Sequence, residues 1–174
     1  MRLLEQLLQC YEAYFDIERP FTAGGVLYDA YAYCEVENAK YALVKSAQLW
    51  SACTYEHVFF QEMDKLSCEK LKDWQRRLRD QIEPEFVRRG CKCPPPDHMC
   101  TYLTNVFISQ QALDSELIRQ IRRHRFHLNY RFALRGYCES RLAVFDLEKG
   151  QVYGNGAARP LVRKYKKIDS GRRK

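Results

Sequence analysis

At 174 residues, with 46% hydrophobic and 13% aromatic side chains, the chain is long enough for one domain with a full core and too apolar to be disordered. No window approaches the run of about eighteen apolar residues that a membrane helix needs. The leucine-rich start is broken by Glu5, Gln6 and Gln9 and lacks a small-residue cleavage site, so a cytoplasmic protein is expected. Its eight cysteines are then expected to be reduced, scattered as small core hydrophobes. The net charge of +7 belongs almost wholly to one end. Arg163, Lys164, Lys166, Lys167, Arg172, Arg173 and Lys174 stand against Asp169 alone, which puts +6 on residues 163–174 and leaves +1 on the other 162.

In chain order, residues 2–16 place Leu3/Leu4, Leu7/Leu8, Tyr11 and Tyr14/Phe15 at helical spacing, and Arg19-Pro20 ends the helix. Thr22-Ala23-Gly24-Gly25 forms a turn. From Val26 to Glu37 the pattern alternates, with Val26, Tyr28, Ala30, Ala32, Cys34 and Val36 on one face of a strand. Asn38-Ala39 turns the chain, Tyr41 to Val44 returns, and Lys45-Ser46 turns it again into a third strand over Gln48 to Phe60. Asp64 or Ser67 caps a helix whose buried stripe is Leu71, Trp74, Leu78 and Ile82, and which Pro84 stops. After an irregular segment around Cys91-Lys92-Cys93-Pro94-Pro95-Pro96, a strand runs from Met99 to Gln110. A helix capped at Asp114 follows, with Arg119, Arg122, Arg123 and Arg125 gathered at its end, where they complement the helix dipole. Phe126, Leu128, Tyr130, Phe132 and Leu134 alternate as the cleanest strand, and residues 137–147 and 151–153 form a hairpin that turns at Gly150.

This order predicts an α+β protein in which a mainly antiparallel sheet is covered on one face by about three helices. Cys53-Thr54-Tyr55 and Cys100-Thr101-Tyr102 echo one another, as do Tyr33-Cys34-Glu35 and Tyr137-Cys138-Glu139. The echoes suggest an internal duplication of a meander-plus-helix unit. The expected organisation is one globular unit over residues 1–162 and a disordered basic tail over 163–174.

Several groupings are candidates for chemistry. Cys91, Cys93, His98 and Cys100 are zinc-type ligands within ten residues, although Cys-x-Cys strains a shared tetrahedral site and the prolines stiffen the link. No catalytic set is identified. Gly-x-Ser-x-Gly, His-Glu-x-x-His and phosphate-loop motifs are missing, and Gly154-Asn155-Gly156 reads as a turn. Asp29, Glu35, Glu37 and Glu56 are placed on a solvated sheet face near His57. His127, Arg131 and Arg135, next to Arg122, Arg123 and Arg125, together with Arg163, Lys164, Lys166 and Lys167, are the candidates for nucleic-acid or anion binding, with Tyr165 available to stack on a base.

The composition therefore points to a binding or interaction module that presents a tyrosine-rich sheet face and a basic tail, without a cofactor. A protein partner or a second copy of the chain is the expected occupant, and no membrane is. The two alternatives are a nucleic-acid accessory protein that uses the tail and an enzyme that acts on an anionic substrate through His127, Arg131 and Arg135.

Overall fold

The computed structural model describes residues 2–41 and 48–172. The turn expected at Lys45-Ser46, and the last two tail residues Arg173 and Lys174, lie outside the described residues. The elements are α1 (Leu3–Gln9), β1 (Asp16–Glu18), β2 (Phe21–Ala23), β3 (Val26–Tyr28), β4 (Ala30–Tyr41), β5 (Gln48–Met63), α2 (Cys68–Arg77), a π turn (Leu78–Ile82), α3 (Glu83–Phe86), β6 (His98–Ser109), α4 (Ser115–Arg123), β7 (His127–Asn129), β8 (Tyr137–Asp146), β9 (Gln151–Gly154) and α5 (Arg159–Arg172). The class is α+β, and β2 and β3 pair as a small separate hairpin.

The main sheet is mixed, where a mainly antiparallel one was expected. Its order is β1-β4-β5-β6-β8-β7, with β9 also on β8, and both β5–β6 and β6–β8 run parallel. Parallel neighbours need a crossover, and the helical segments α2–α3 and α4 supply the two. The Cys53 and Cys100 segments are therefore side by side, Thr54 opposite Cys100 and Tyr55 opposite Thr101.

Central parallel strands are buried on both faces, so helices are needed on both, and not on one as expected. On one face Leu71, Trp74, Leu78, Leu117 and Ile121 cover Phe59, Leu103, Phe107 and Leu142. On the other, Leu4 and Leu8 of α1 and Tyr165 of α5 cover Val58, Phe60, Val106 and Phe145.

Four local departures have physical causes. Helix α1 ends at Gln9, yet Tyr11 and Phe15 still reach the core because the chain continues as turns, Glu12 N–H donating to Leu8 O and Phe15 N–H to Tyr11 O. The strand expected from Val26 to Glu37 breaks at Asp29, whose carboxylate accepts the Glu62 N–H at 2.7 Å. Pro84 opens α3 and does not end the helical run: it sits in the first turn of α3, and the wider π turn before it absorbs the hydrogen bond that proline cannot donate.

The strand expected from Phe126 to Leu134 is the fourth. Only His127–Asn129 is extended, and Arg131, Phe132 and Ala133 take φ of 49°, 55° and 68°. Tyr130 N–H donates to Gly136 O, closing a tight loop, while the Tyr130 hydroxyl donates to buried Glu83 at 2.5 Å. Gly136 is required there, because a Cβ would meet Met99 O at 2.1 Å. The alternation continued past the strand, and Phe132 and Leu134 end up on the surface at 99% and 82% exposure.

Residues 163–172, expected as a disordered tail, form most of α5. The cause is Tyr165, fully buried against Phe145, with its hydroxyl 2.5 Å from that of Tyr11. Among the described residues no helix is long and apolar enough to cross a membrane.

Tyr165 should thus hold α5 and α1 to the sheet together. Tyr165→Ala is expected to cost about 3–5 kcal/mol in urea unfolding, and Tyr165→Phe, which strands the Tyr11 hydroxyl, about 1–3 kcal/mol.

Candidate functional site

The last paired strand, β8, has two short strands sharing one edge. β7 pairs with Tyr137 to Glu139 and β9 with Ala143 to Asp146, leaving residues 140–142 between them. Bare backbone in such a gap would be costly. Asn155 fills it. Its backbone N–H donates to Leu142 O, its Oδ1 accepts from Leu142 N–H at 3.0 Å and Ala158 N–H at 3.1 Å, and its Nδ2 donates to Ser140 O at 3.0 Å and His124 O at 3.3 Å. Gly154 makes this approach feasible, since a Cβ there would lie 2.8 Å from Leu142 O. Gly154 ends β9, the expected turn begins at Asn155, and the segment also carries the pairing of the sheet edge.

A cleft of about 570 Å³ opens over this gap. Arg122 and Arg125 come from the end of α4 and the link after it, His127 from β7, Glu139 and Ser140 from β8, and Arg159 from the first turn of α5. Arg122 lies over the Tyr153 ring at 5.8 Å, and none of the three arginines has a carboxylate partner among the described residues. Glu139 is the one acid in the lining, 3.9 Å from His127. A second cleft of about 320 Å³ shares His124, Arg125 and Phe126 with the first and adds Lys72, Arg79 and Arg123, with no acid in its lining. His124 anchors the wall between the clefts. Its Nε2 is 3.1 Å from Ser140 Oγ, its Nδ1 is 3.2 Å from Gln75 Nε2, and burial pushes its pKa down to about 4.

The residues expected to bind anions are dispersed. His127 lies in the cleft. Arg131 and Arg135 line a different cavity, of about 350 Å³, with Arg88, Arg89, Cys91 and Cys93. Arg163, Lys164 and Lys167 project from the exposed side of α5, Lys164 over the Tyr11 ring, and Lys166 lines a shallow cavity with Asp169. Arg122 and Arg125, expected to adjoin His127 in a basic surface, do line the cleft with it. Arg159 was missed, and nothing in the sequence shows that it returns to meet them.

The zinc-type residues are not assembled either. The His98 Nδ1–H donates to Arg135 O at 2.8 Å, and Nε2 accepts from the Thr101 hydroxyl at 2.8 Å, so both ring nitrogens are occupied by the fold. Cys100 is buried with its thiol 3.5 Å from Thr54, and Cys91 is exposed. Among the described residues no group of three or more His, Cys, Asp or Glu side chains is placed to hold a metal. His57 and Glu56, expected near one another, point to opposite faces of β5 as successive strand residues must. The tyrosine-rich face is satisfied internally. Tyr102 and Tyr137 share a hydrogen bond at 3.0 Å, Arg141 lies 3.5 Å over the Tyr102 ring, and its guanidinium meets Glu56 at 3.2 Å.

Fold and site together define an α+β protein with a mixed sheet and an arginine-lined cleft at one sheet edge. Residues 1–167 match the family described as "Domain of unknown function (DUF8052)", and the chain belongs to it. No curated protein and no solved structure matches.

Replacing Asn155 with alanine strands Leu142 N–H and Ser140 O, and is expected to lower the unfolding free energy by about 2–4 kcal/mol. A second expectation concerns pH. His124 and His57 are both held neutral by burial, each with a pKa near 4 against 6.5 when unfolded. Their contribution is complete above pH 6.5 and is lost as pH falls from there towards 4, because only the unfolded chain takes up the protons readily. In urea titrations at about pH 7 and pH 4.5, His124→Gln should shrink the difference between the two stabilities by about 2–3 kcal/mol.

Proposed function

We propose that the chain is a non-catalytic binding protein for a phosphate-bearing anion, held in the cleft between β7 and the Gly154–Ala157 turn. The observation that carries this reading is the presence of Arg122, Arg125 and Arg159 in one 570 Å³ cleft without a carboxylate partner among the described residues. A guanidinium presents a planar fork of donors that matches two phosphate oxygens, and three of them around one concavity suit a multiply charged oxyanion. The cleft also receives the N-terminal end of α5, a fourteen-residue helix whose dipole favours negative charge there. Binding without catalysis is favoured because His124 has both nitrogens engaged, which leaves His127 and Glu139 as the only acid–base neighbours.

The adjoining cleft of Lys72, Arg79 and Arg123 extends the same positive surface. It favours a ligand with several phosphates over one with a single phosphate, and with it the reading of the chain as a nucleic-acid accessory protein. The contact would then be made through these clefts, not through residues 163–174.

Pyrophosphate and a twelve-nucleotide single-stranded RNA, titrated separately by calorimetry at low and moderate salt, test both levels of the proposal. Saturable pyrophosphate binding that weakens by about tenfold or more in Arg125→Ala/Arg159→Ala is the expected result. Arg163→Ala/Lys167→Ala on the outer side of α5 should leave it unchanged. Tighter, more salt-sensitive binding of the RNA, reduced further by Arg79→Ala/Arg123→Ala, marks a polynucleotide ligand. Affinity that is unaltered in the Arg125/Arg159 variant would sink the cleft.

A further inference from the structure

At the opposite edge of the sheet lies an open cavity of about 390 Å³, bounded by β1, β2, β4, β5 and α3. Its chemistry is the reverse of the arginine cleft. We propose that it is a binding site for a small organic ammonium ion.

The walls are aromatic. Phe21 stacks on Tyr31 with centroids 4.0 Å apart, and Tyr33 and Phe86 lie 5.0 Å and 5.3 Å from the His57 ring. Aromatic faces carry negative potential and attract ammonium groups, most strongly where water is displaced. The rim adds charge of the matching sign. Asp16, Glu18 and Glu85 line the cavity, and none has a cationic partner among the described residues. Arg89 is the only cation in the lining, and its guanidinium is directed to the Tyr55 ring at 5.5 Å. Three carboxylates against one guanidinium leave the lining at −2, which repels the anions that suit the other cleft.

The floor holds a buried polar atom that the fold leaves unused. His57 is 5% exposed, Nδ1 is 2.7 Å from the Tyr31 hydroxyl, and Nε2 has no hydrogen-bond partner among the described residues. A buried polar atom left alone is costly, and such atoms are uncommon in folded proteins. Burial and the nearby Arg89 hold His57 neutral, so the ring offers a hydrogen bond to an incoming hydroxyl or amine without adding positive charge. Burial likewise pushes the Tyr33 phenol up to about 12, which keeps it protonated. A cation with a short body and one hydroxyl or amine satisfies walls, rim and floor together.

Choline and agmatine are the probes. The uncharged control is 3,3-dimethyl-1-butanol, which has the shape of choline without its charge. The readouts are calorimetry and the ring resonances of His57. At least one cation is expected to bind saturably and shift those resonances, while the alcohol binds about tenfold or more weakly. Glu18→Gln/Glu85→Gln, two exposed rim substitutions that should not disturb folding, is expected to reduce cation affinity by about tenfold. Arg125→Ala/Arg159→Ala should leave it unchanged, which separates this site from the anion cleft. The proposal is overturned if neither cation binds saturably to the native chain, if the alcohol binds as well as choline, or if affinity persists in Glu18→Gln/Glu85→Gln.

Discussion

The gap in the edge of β8 is the constraint on which much of this structure depends. Two short strands, β7 and β9, meet the same edge without meeting each other, and on that edge Leu142 N–H, Leu142 O and Ser140 O face no strand. One asparagine closes the gap by offering an acceptor to Leu142 and donors to Ser140 and His124. Because Asn155 must lie in the plane of the sheet to do this, the chain before it passes close to β8, and only glycine fits at 154. The chain after it is committed too: Ala158 N–H binds the same Oδ1, and α5 starts one residue later. The edge repair therefore places Arg159 opposite Arg122 and Arg125, and makes the cleft a consequence of sheet pairing.

The parallel arrangement of β5, β6 and β8 sets the second requirement. Each parallel step forces a crossover, and α2 and α4 both return over the same face. That leaves Val58, Phe60, Val106 and Phe145 on the other face, and burying them there falls to the two chain ends, α1 and α5. Neither end has length enough to be a stable helix alone. Each becomes stable by packing, and the Tyr11–Tyr165 hydroxyl pair joins the two beneath which the sheet is covered.

Local signals were legible wherever the cause was local. Ser67 and Asp114 cap α2 and α4 through backbone N–H groups three residues on, and Gly150 turns the final hairpin at φ 59°. Strand direction was not legible, since an extended segment has the same periodicity whether its neighbour runs with it or against it. The loop after β7 misled for a related reason. Its apolar alternation is real, but Tyr130 is drawn to Glu83, which lies forty-seven residues away in sequence, and that bond closes the loop. Of the cleft's cations, Arg122, Arg125 and His127 were legible together because they adjoin in sequence, while Arg159 was not, because thirty-four positions separate it from Arg125.

Charge behaves in the same way. The run from Arg163 to Lys167 dominates the sequence, yet on a helix it is spread around one exposed side, with Tyr165 within it and Asp169 just after it turned inward. Dispersed on an open surface, such charges are individually solvated and screened within about 8 Å at physiological salt. Arginines gathered from separate elements into a concave site share a field that water and counterions weaken less. The same reasoning holds at the far edge of the sheet, where Asp16, Glu18 and Glu85 come from two distant segments and no acidic run marks them. The sign of a surface follows from which elements the sheet brings together, and here its two edges carry opposite ones.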